Sequence, residues 1–170
     1  MNNKSIDDIV RNVLNISSYQ AEIEVTIISN KTTNQYKLRQ EYKNNHAWRQ
    51  TIIEPKELEN LTISYDSNSI TLKNTNLGLN KLYENYEDYH YIHQNTLWLS
   101  SFVSGFTGDS KITENEDEIM VENQQYRNPY NEKQILYISK KSKQPTKMEI
   151  QDTNKNNTIY IKYNEIQLNK

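Results

Sequence analysis

A chain of 170 residues with 34% hydrophobic residues and 13 tyrosines has the length for one domain, and its large, partly apolar side chains suit a β-rich core. Its 20 basic and 22 acidic residues, net charge −2, exclude the basic field that nucleic acid or an anionic lipid surface demands. With no cysteine, a disulfide framework, a thiol nucleophile and a Cys-based metal site are all excluded.

No apolar run approaches the roughly 18 residues of a membrane span, and residues 1–20 lack the continuous apolar core of a signal peptide. The sequence therefore reads as a mature or trimmed soluble form, one domain over 1–170 with flexible ends at 1–4 and 169–170. The abundance of Asn, Lys, Ile and Tyr, with 3 Gly and 3 Pro, points to an AT-rich bacterial genome and says nothing about activity.

Ser5-Ile6-Asp7-Asp8 predicts a helix start, with Ser5 as N-cap and the two acids near the positive helix end. Ile6, Ile9, Val10, Val13 and Leu14 continue it as one apolar stripe. From Tyr19 the period becomes two: Tyr19, Ala21, Ile23, Val25 and Ile27 alternate with polar residues, the clearest strand in the chain. A turn over Ser29 to Asn34 leads into a second strand carrying Tyr36, Leu38 and Tyr42, so the two form a long hairpin. Asn44-Asn45 breaks it, and Trp48 with Ile52 marks a third strand that Pro55 ends.

Leu61, Ile63 and Tyr65, then Ile70 and Leu72 across the turn Asp66-Ser67-Asn68-Ser69, predict a second hairpin. Between Leu77 and His93 the pattern is ambiguous, and Leu77, Leu79 and Leu82 read as loop or short-strand anchors. Leu97, Trp98, Leu99, Phe102, Val103 and Phe106 recur at helical spacing, capped by Asn95 or Thr96 and ended by Gly105 to Gly108. Strands over Ile119–Glu122, Lys133–Ser139, Thr146–Asp152 and Thr158–Leu168 follow as an antiparallel meander. The architecture implied is α+β, a curved antiparallel sheet wrapped around an N-terminal and an internal apolar helix.

Chemistry is sparse. His90 and His93, beside Glu87 and Asp88, are the one dense group of metal-ligand types, but on a strand residues three apart face opposite sides, so solvated loop histidines are the simpler reading. Glu22/Glu24 and Glu116/Asp117/Glu118 have the composition of acid–base pairs, yet the first lies on the polar face of a strand and the second reads as an acidic loop. Ser100-Ser101 has no histidine obviously placed as a base, and reads as the outward polar side of its helix. There is no Gly-rich phosphate loop, no HExxH and no GxSxG, and no cofactor is expected. Trp98, Phe102 and Phe106 either fill the core or line a cavity for lipid chains. Tyr83, Tyr86, Tyr89 and Tyr91 form a polar, Tyr-rich stretch of the composition favoured at protein interfaces, and equally of a plain loop.

In order along the chain stand the N-terminal helix, Ser18-Tyr19-Gln20-Ala21-Glu22-Ile23-Glu24-Val25-Thr26, Ser29-Asn30-Lys31 with Tyr36 and Gln40, and Pro145-Thr146-Lys147-Met148-Glu149-Ile150-Gln151-Asp152. This layout resembles the LolA-type outer-membrane lipoprotein carrier superfamily, and within it the GerS-type clostridial germination lipoproteins, over residues 5–169. The matching positions Tyr19, Val25, Tyr36, Pro145 and Met148 are structural, and no partner-contact residue carries over by motif.

The resemblance implies an open, strongly curved antiparallel sheet over helices. It further implies a non-catalytic lipoprotein of the developing spore that binds and activates a CwlD-like zinc-dependent N-acetylmuramoyl-L-alanine amidase, so that muramic-δ-lactam is made for cortex degradation at germination. The carriers of the superfamily instead hold acyl chains in the concave face, which is the alternative function. The lipobox cysteine of the lipoprotein pattern is absent, so an extracytoplasmic, membrane-anchored location implies an anchor upstream of Met1. The exposed edges expected of so many strands predict a homodimer, with strand exchange as one route.

Overall fold

The computed structural model describes residues 3–43, 47–85, 96–107, 110–124 and 131–169. Helix α1 (Asn3–Leu14) precedes five strands, β1 (Ser18–Ile28), β2 (Thr33–Lys43), β3 (Ala47–Glu54), β4 (Thr62–Asp66) and β5 (Ser69–Asn74). After β6 (Leu79–Tyr83) comes helix α2 (Trp98–Gly105), then β7 (Lys111–Glu114), β8 (Glu118–Gln124), β9 (Lys133–Ser139), β10 (Pro145–Gln151) and β11 (Asn157–Asn169). All eleven strands make one antiparallel sheet in the order β6-β5-β4-β3-β2-β1-β11-β10-β9-β8-β7. Two meanders, β1–β6 and β7–β11, are thus joined where the first strand pairs with the last.

Period-two burial sets this register. In β1, Tyr19, Ala21, Ile23 and Val25 are buried while Gln20 and Glu24 face solvent. A one-residue slip would turn that whole set outward, so the buried face locks the pairing with β2 and β11. Turn chemistry closes the hairpins. The Ser29 hydroxyl accepts from the Thr32 amide at 3.1 Å, and Ser67 and Asn68 take φ of 46° and 83° between the paired residues Asp66 and Ser69.

Both helices pack on one face of the sheet, and Ile6, Ile9, Val10 and Val13 of α1 join Leu97, Trp98, Leu99 and Phe102 in a single core. A flat sheet of eleven strands would be about 48 Å wide, whereas helices of 12 and 8 residues are only about 18 and 12 Å long. For so little helix to bury Tyr65 and Ile70 on one side and Ile119, Val121 and Ile138 on the other, the sheet curls around it. This is the architecture that the LolA resemblance implies.

Four local expectations need correction. The first helix is already formed at Asn3 with no acid in its first turn, so Ser5 is inside it and not its cap. Satisfying the backbone N–H of buried Ile6 requires a helical turn ahead of it. Leu77 and Leu82 are 65% and 59% exposed and do not anchor the core: Leu77 lies in the turn before β6, and Leu82 lies in β6, a sheet edge without a covering element among the described residues. Strand β7, with Ile112 as its one apolar residue, has no alternation to reveal it. Finally, α2 follows Leu97 without a side-chain cap, so Thr96 does not play that part, while Asn95 lies outside the described residues.

Candidate partner-binding surfaces and the filled concavity

The concave face contains an apolar floor and a helix seated on it. Trp98 and Phe102 are 5% and 0% exposed, Leu97 and Leu99 are fully buried, and Phe106 is partly buried against the same core. Beneath them the tyrosine ring of Tyr19 stacks on Tyr42 with centroids 5.3 Å apart, and Trp48 stacks on Tyr65 at 6.2 Å. Ser100 and Ser101, expected to point outward, are 3% and 7% exposed. The N–H of Ser100 faces the Tyr19 hydroxyl, so this polar side of α2 turns toward the sheet because a strand residue there serves its backbone. Burial pushes the Tyr19 hydroxyl well above the ordinary tyrosine range, which keeps it neutral and able to donate.

Buried amides complete the arrangement. Gln40 of β2, 1% exposed, donates from Nε2 to the Thr96 carbonyl at 2.6 Å and to Gln50 Oε1 at 2.7 Å, while its Oε1 accepts from the Tyr19 hydroxyl at 3.4 Å. Asn123 of β8, also 1% exposed, donates from Nδ2 to the Phe102 carbonyl at 2.9 Å and accepts from the Ser110 hydroxyl at 2.6 Å. These residues were missed by reading strands as simple alternation. Their signal was present: Gln40, Asn123 and Gln134 each occupy the core phase of a strand, where an apolar residue is the rule.

The opposite face is charged. Glu22 pairs with Lys37 at 2.8 Å and Arg39 at 3.6 Å, and the Lys37 hydrogen bond holds its carboxyl below the ordinary range. Glu24 accepts from Asn164 at 2.8 Å, so the two carboxylates serve separate cross-strand contacts. Asn115 Oδ1 accepts from the amides of Asp117 and Glu118, which makes the acidic segment a closed turn, and Glu118 accepts from Thr146. On the C-terminal wing Tyr137 donates to Glu149 at 3.2 Å, with the Lys147 ammonium 4.0 Å from its ring centroid. Desolvation, then the Glu149 carboxylate, push the Tyr137 hydroxyl up to about 12.

Among the described residues no group of three or more His, Cys, Asp or Glu could hold a metal, and no helix is long and apolar enough to cross a membrane. His46, His90 and His93 all lie outside the described residues, as do Glu87 and Asp88. Among the described residues the most exposed large apolar side chains are Leu77, in the turn before β6, and Leu82 and Tyr83 (47% exposed), which are neighbours in β6 and so point to opposite faces of it; Ile27, Ile28 and Ile112 are less exposed.

The model of the family described as "Sporulation protein YdcC-like" matches residues 1–170, the whole chain. The chain belongs to the YdcC-like sporulation protein family. No curated protein sequence matches it. Among solved structures, the complex of the CwlD amidase from Clostridioides difficile with the GerS lipoprotein gives a TM-score of 0.56 at 22% identity, covering 97% of this chain and 95% of that one. An uncharacterised conserved protein from Thermus thermophilus gives 0.59 at 11% identity, covering 98% and 88%. MucB gives 0.55 at 9% identity, covering 96% of this chain and 58% of its own. At these identities the likeness is one of fold.

In this YdcC-like chain, the tyrosines singled out in the sequence are divided by the structure. Tyr83 ends the edge strand β6 and is exposed, whereas Tyr86, Tyr89 and Tyr91 lie outside the described residues. Trp98 and Phe102 of α2 and Phe106 at its end all join the core on the concave side.

Proposed function

We propose that this domain is a non-catalytic partner of a sporulation-specific N-acetylmuramoyl-L-alanine amidase of the CwlD type, which it binds and activates for spore cortex modification and germination. The observation that carries the reading is the whole-length likeness to a structure in which a GerS lipoprotein is held in complex with the CwlD amidase, in a chain of a sporulation family. Activation by contact requires only higher affinity for the competent, metal-bound state of the amidase than for the others, and no catalytic group in the activator. Zinc and the hydrolytic chemistry then belong to the partner.

The contact surface on this reading is the β6 edge with Leu82 and Tyr83, Leu77 in the turn before it, and Tyr86, Tyr89 and Tyr91, which follow in the sequence. Exposed leucine and tyrosine side chains there supply desolvatable area, and an edge strand supplies backbone groups. On this reading the protein acts outside the cytoplasm as a lipoprotein of the spore or forespore membrane, and it forms a homodimer, with strand exchange as one route. The carrier alternative is disfavoured because, among the described residues, Trp98 and Phe102 of α2 are buried in the core and do not line an open apolar trough.

The test is a pull-down and zinc-retention assay of a purified CwlD-type amidase with and without this protein. A stable complex with raised amidase activity or zinc retention supports the proposal. No complex, together with lipid recovered by extraction of the purified protein, replaces it with the carrier function. Light scattering reporting only about 20 kDa in solution refutes the dimer.

A further inference from the structure

Helix α2 lacks what an autonomous helix needs. It has 8 residues, no side-chain cap bond at Leu97, no acid in its first turn and no base in its last. A helix this short is unstable alone, and its end groups must be satisfied from elsewhere. The sheet supplies partners: Tyr19 meets the Ser100 N–H in the first turn and Asn123 takes the Phe102 carbonyl in the last, while Gln40 fixes the segment just ahead of the helix through the Thr96 carbonyl.

The two amides come from distant strands. Along the sheet the path from Gln40 to Asn123 runs β2, β1, β11, β10, β9, β8, five steps, or about 24 Å if the sheet were flat. The carbonyls they hold are six residues apart in sequence, two ahead of the helix and the rest within it, a span of about 13 Å at most. Gln40 and Asn123 rise from the sheet toward α2, so their own length adds little to the span. Both amides can reach α2 only with the sheet curled.

We infer that α2 is a brace: it ties the β2 wing to the β8 wing through Gln40 and Asn123, sets the curl of the sheet, and makes a contact on one wing felt on the other. Each amide is held in one orientation by a second set of bonds, Gln40 by Tyr19 and Gln50, Asn123 by Ser110. Such doubly held amides transmit a shift of the strand to the helix instead of absorbing it by rotation. The brace is independent of which partner the protein binds.

The experiment is a double-mutant cycle on the full chain with Gln40→Met, Asn123→Leu and both, read by urea unfolding and by hydrogen exchange. If the two ends acted independently, losing the bonds of either amide would raise the unfolding constant by at least roughly tenfold, and losing both would multiply the two factors to roughly a hundredfold or more. A brace severed at one end is already slack, so the double variant should stay close to the weaker single variant. Asn123→Leu should also quicken exchange in β3 and β4, more than Ile138→Val, which weakens the core on the β8 side and leaves both amide bonds to the α2 segment intact. If Asn123→Leu does not fold, Ser110→Ala, which frees the Asn123 amide to turn, should give the same remote signature at smaller amplitude. Fold-changes that multiply, or exchange effects confined to the mutated wing, overturn the inference.

Discussion

Replacing Phe102 with alanine tests whether the concave face is filled. Phe102 of α2 is fully buried in the core, as are Leu97 and Leu99 nearby in the chain. Truncating such a side chain removes its transfer free energy and leaves a cavity, which costs about 3–5 kcal/mol. The bond from Asn123 goes to the Phe102 backbone carbonyl and survives the change, so the loss is one of packing. For a domain of this length each kcal/mol lowers Tm by about 2–4 °C, so about 4 kcal/mol corresponds to roughly 8–16 °C. Calorimetry or thermal circular dichroism measures this directly, with Phe106→Ala, only partly buried, expected to fall by less. A drop below about 3 °C for Phe102→Ala would mean that the aromatic stripe borders an open cavity, and the argument against a lipid carrier would fail.

Asn74, 1% exposed, accepts from the amides of Asn76 and Leu77 and donates to the Glu59 carbonyl, so Asn74→Ala should lower the urea-derived stability by about 1–3 kcal/mol with an unchanged m value. Glu22→Gln should cost only about 0.2–1 kcal/mol at neutral pH, as a part-exposed pair does, and high salt should erase the difference. Because the folded Glu22 carboxyl lies below its ordinary value, its contribution is present above the unfolded carboxylate range and is lost as pH falls through the lowered folded value. The Gln variant should therefore show a shallower acid limb in a stability–pH curve. Leu77→Lys with Leu82→Lys, at positions 65% and 59% exposed, should leave Tm within about 2 °C and weaken amidase capture at least tenfold. Capture at full strength would move the contact away from the β6 edge.

Where a strand had one buried face, its sequence announced it: the alternation from Tyr19 to Ile27 marks β1 to within a residue at each end. The edge strands were illegible for a physical reason. In β7 all four residues are exposed, and in β6 all but Leu79, so neither has an apolar phase, and both exist through backbone bonding to β8 and β5. Helix α2 was visible through its apolar content, but its caps were sought next to it in sequence, at Asn95 or Thr96. Partners for its end groups come instead from Tyr19 and Asn123, up to 81 residues away, which no local capping rule can find.

The polar residues on core phases connect legibility to function. Tyr36-x-Leu38-x-Gln40-x-Tyr42, Ile70-x-Leu72-x-Asn74 and Ile119-x-Val121-x-Asn123 each place one amide where burial is required. An unpaired buried amide costs about 1–3 kcal/mol, so such a position is stable only where the fold brings it a partner. In each case the partner is a backbone carbonyl of an irregular or terminal segment: Thr96, Glu59 or Phe102. The same amides that break the strand pattern therefore specify how the loops and α2 dock on the sheet. A carrier gains by leaving its concave face free for a guest, and this chain instead dedicates buried amides to holding its own helix there. That use of sequence fits a domain whose working surface is the outside of the sheet and its edges.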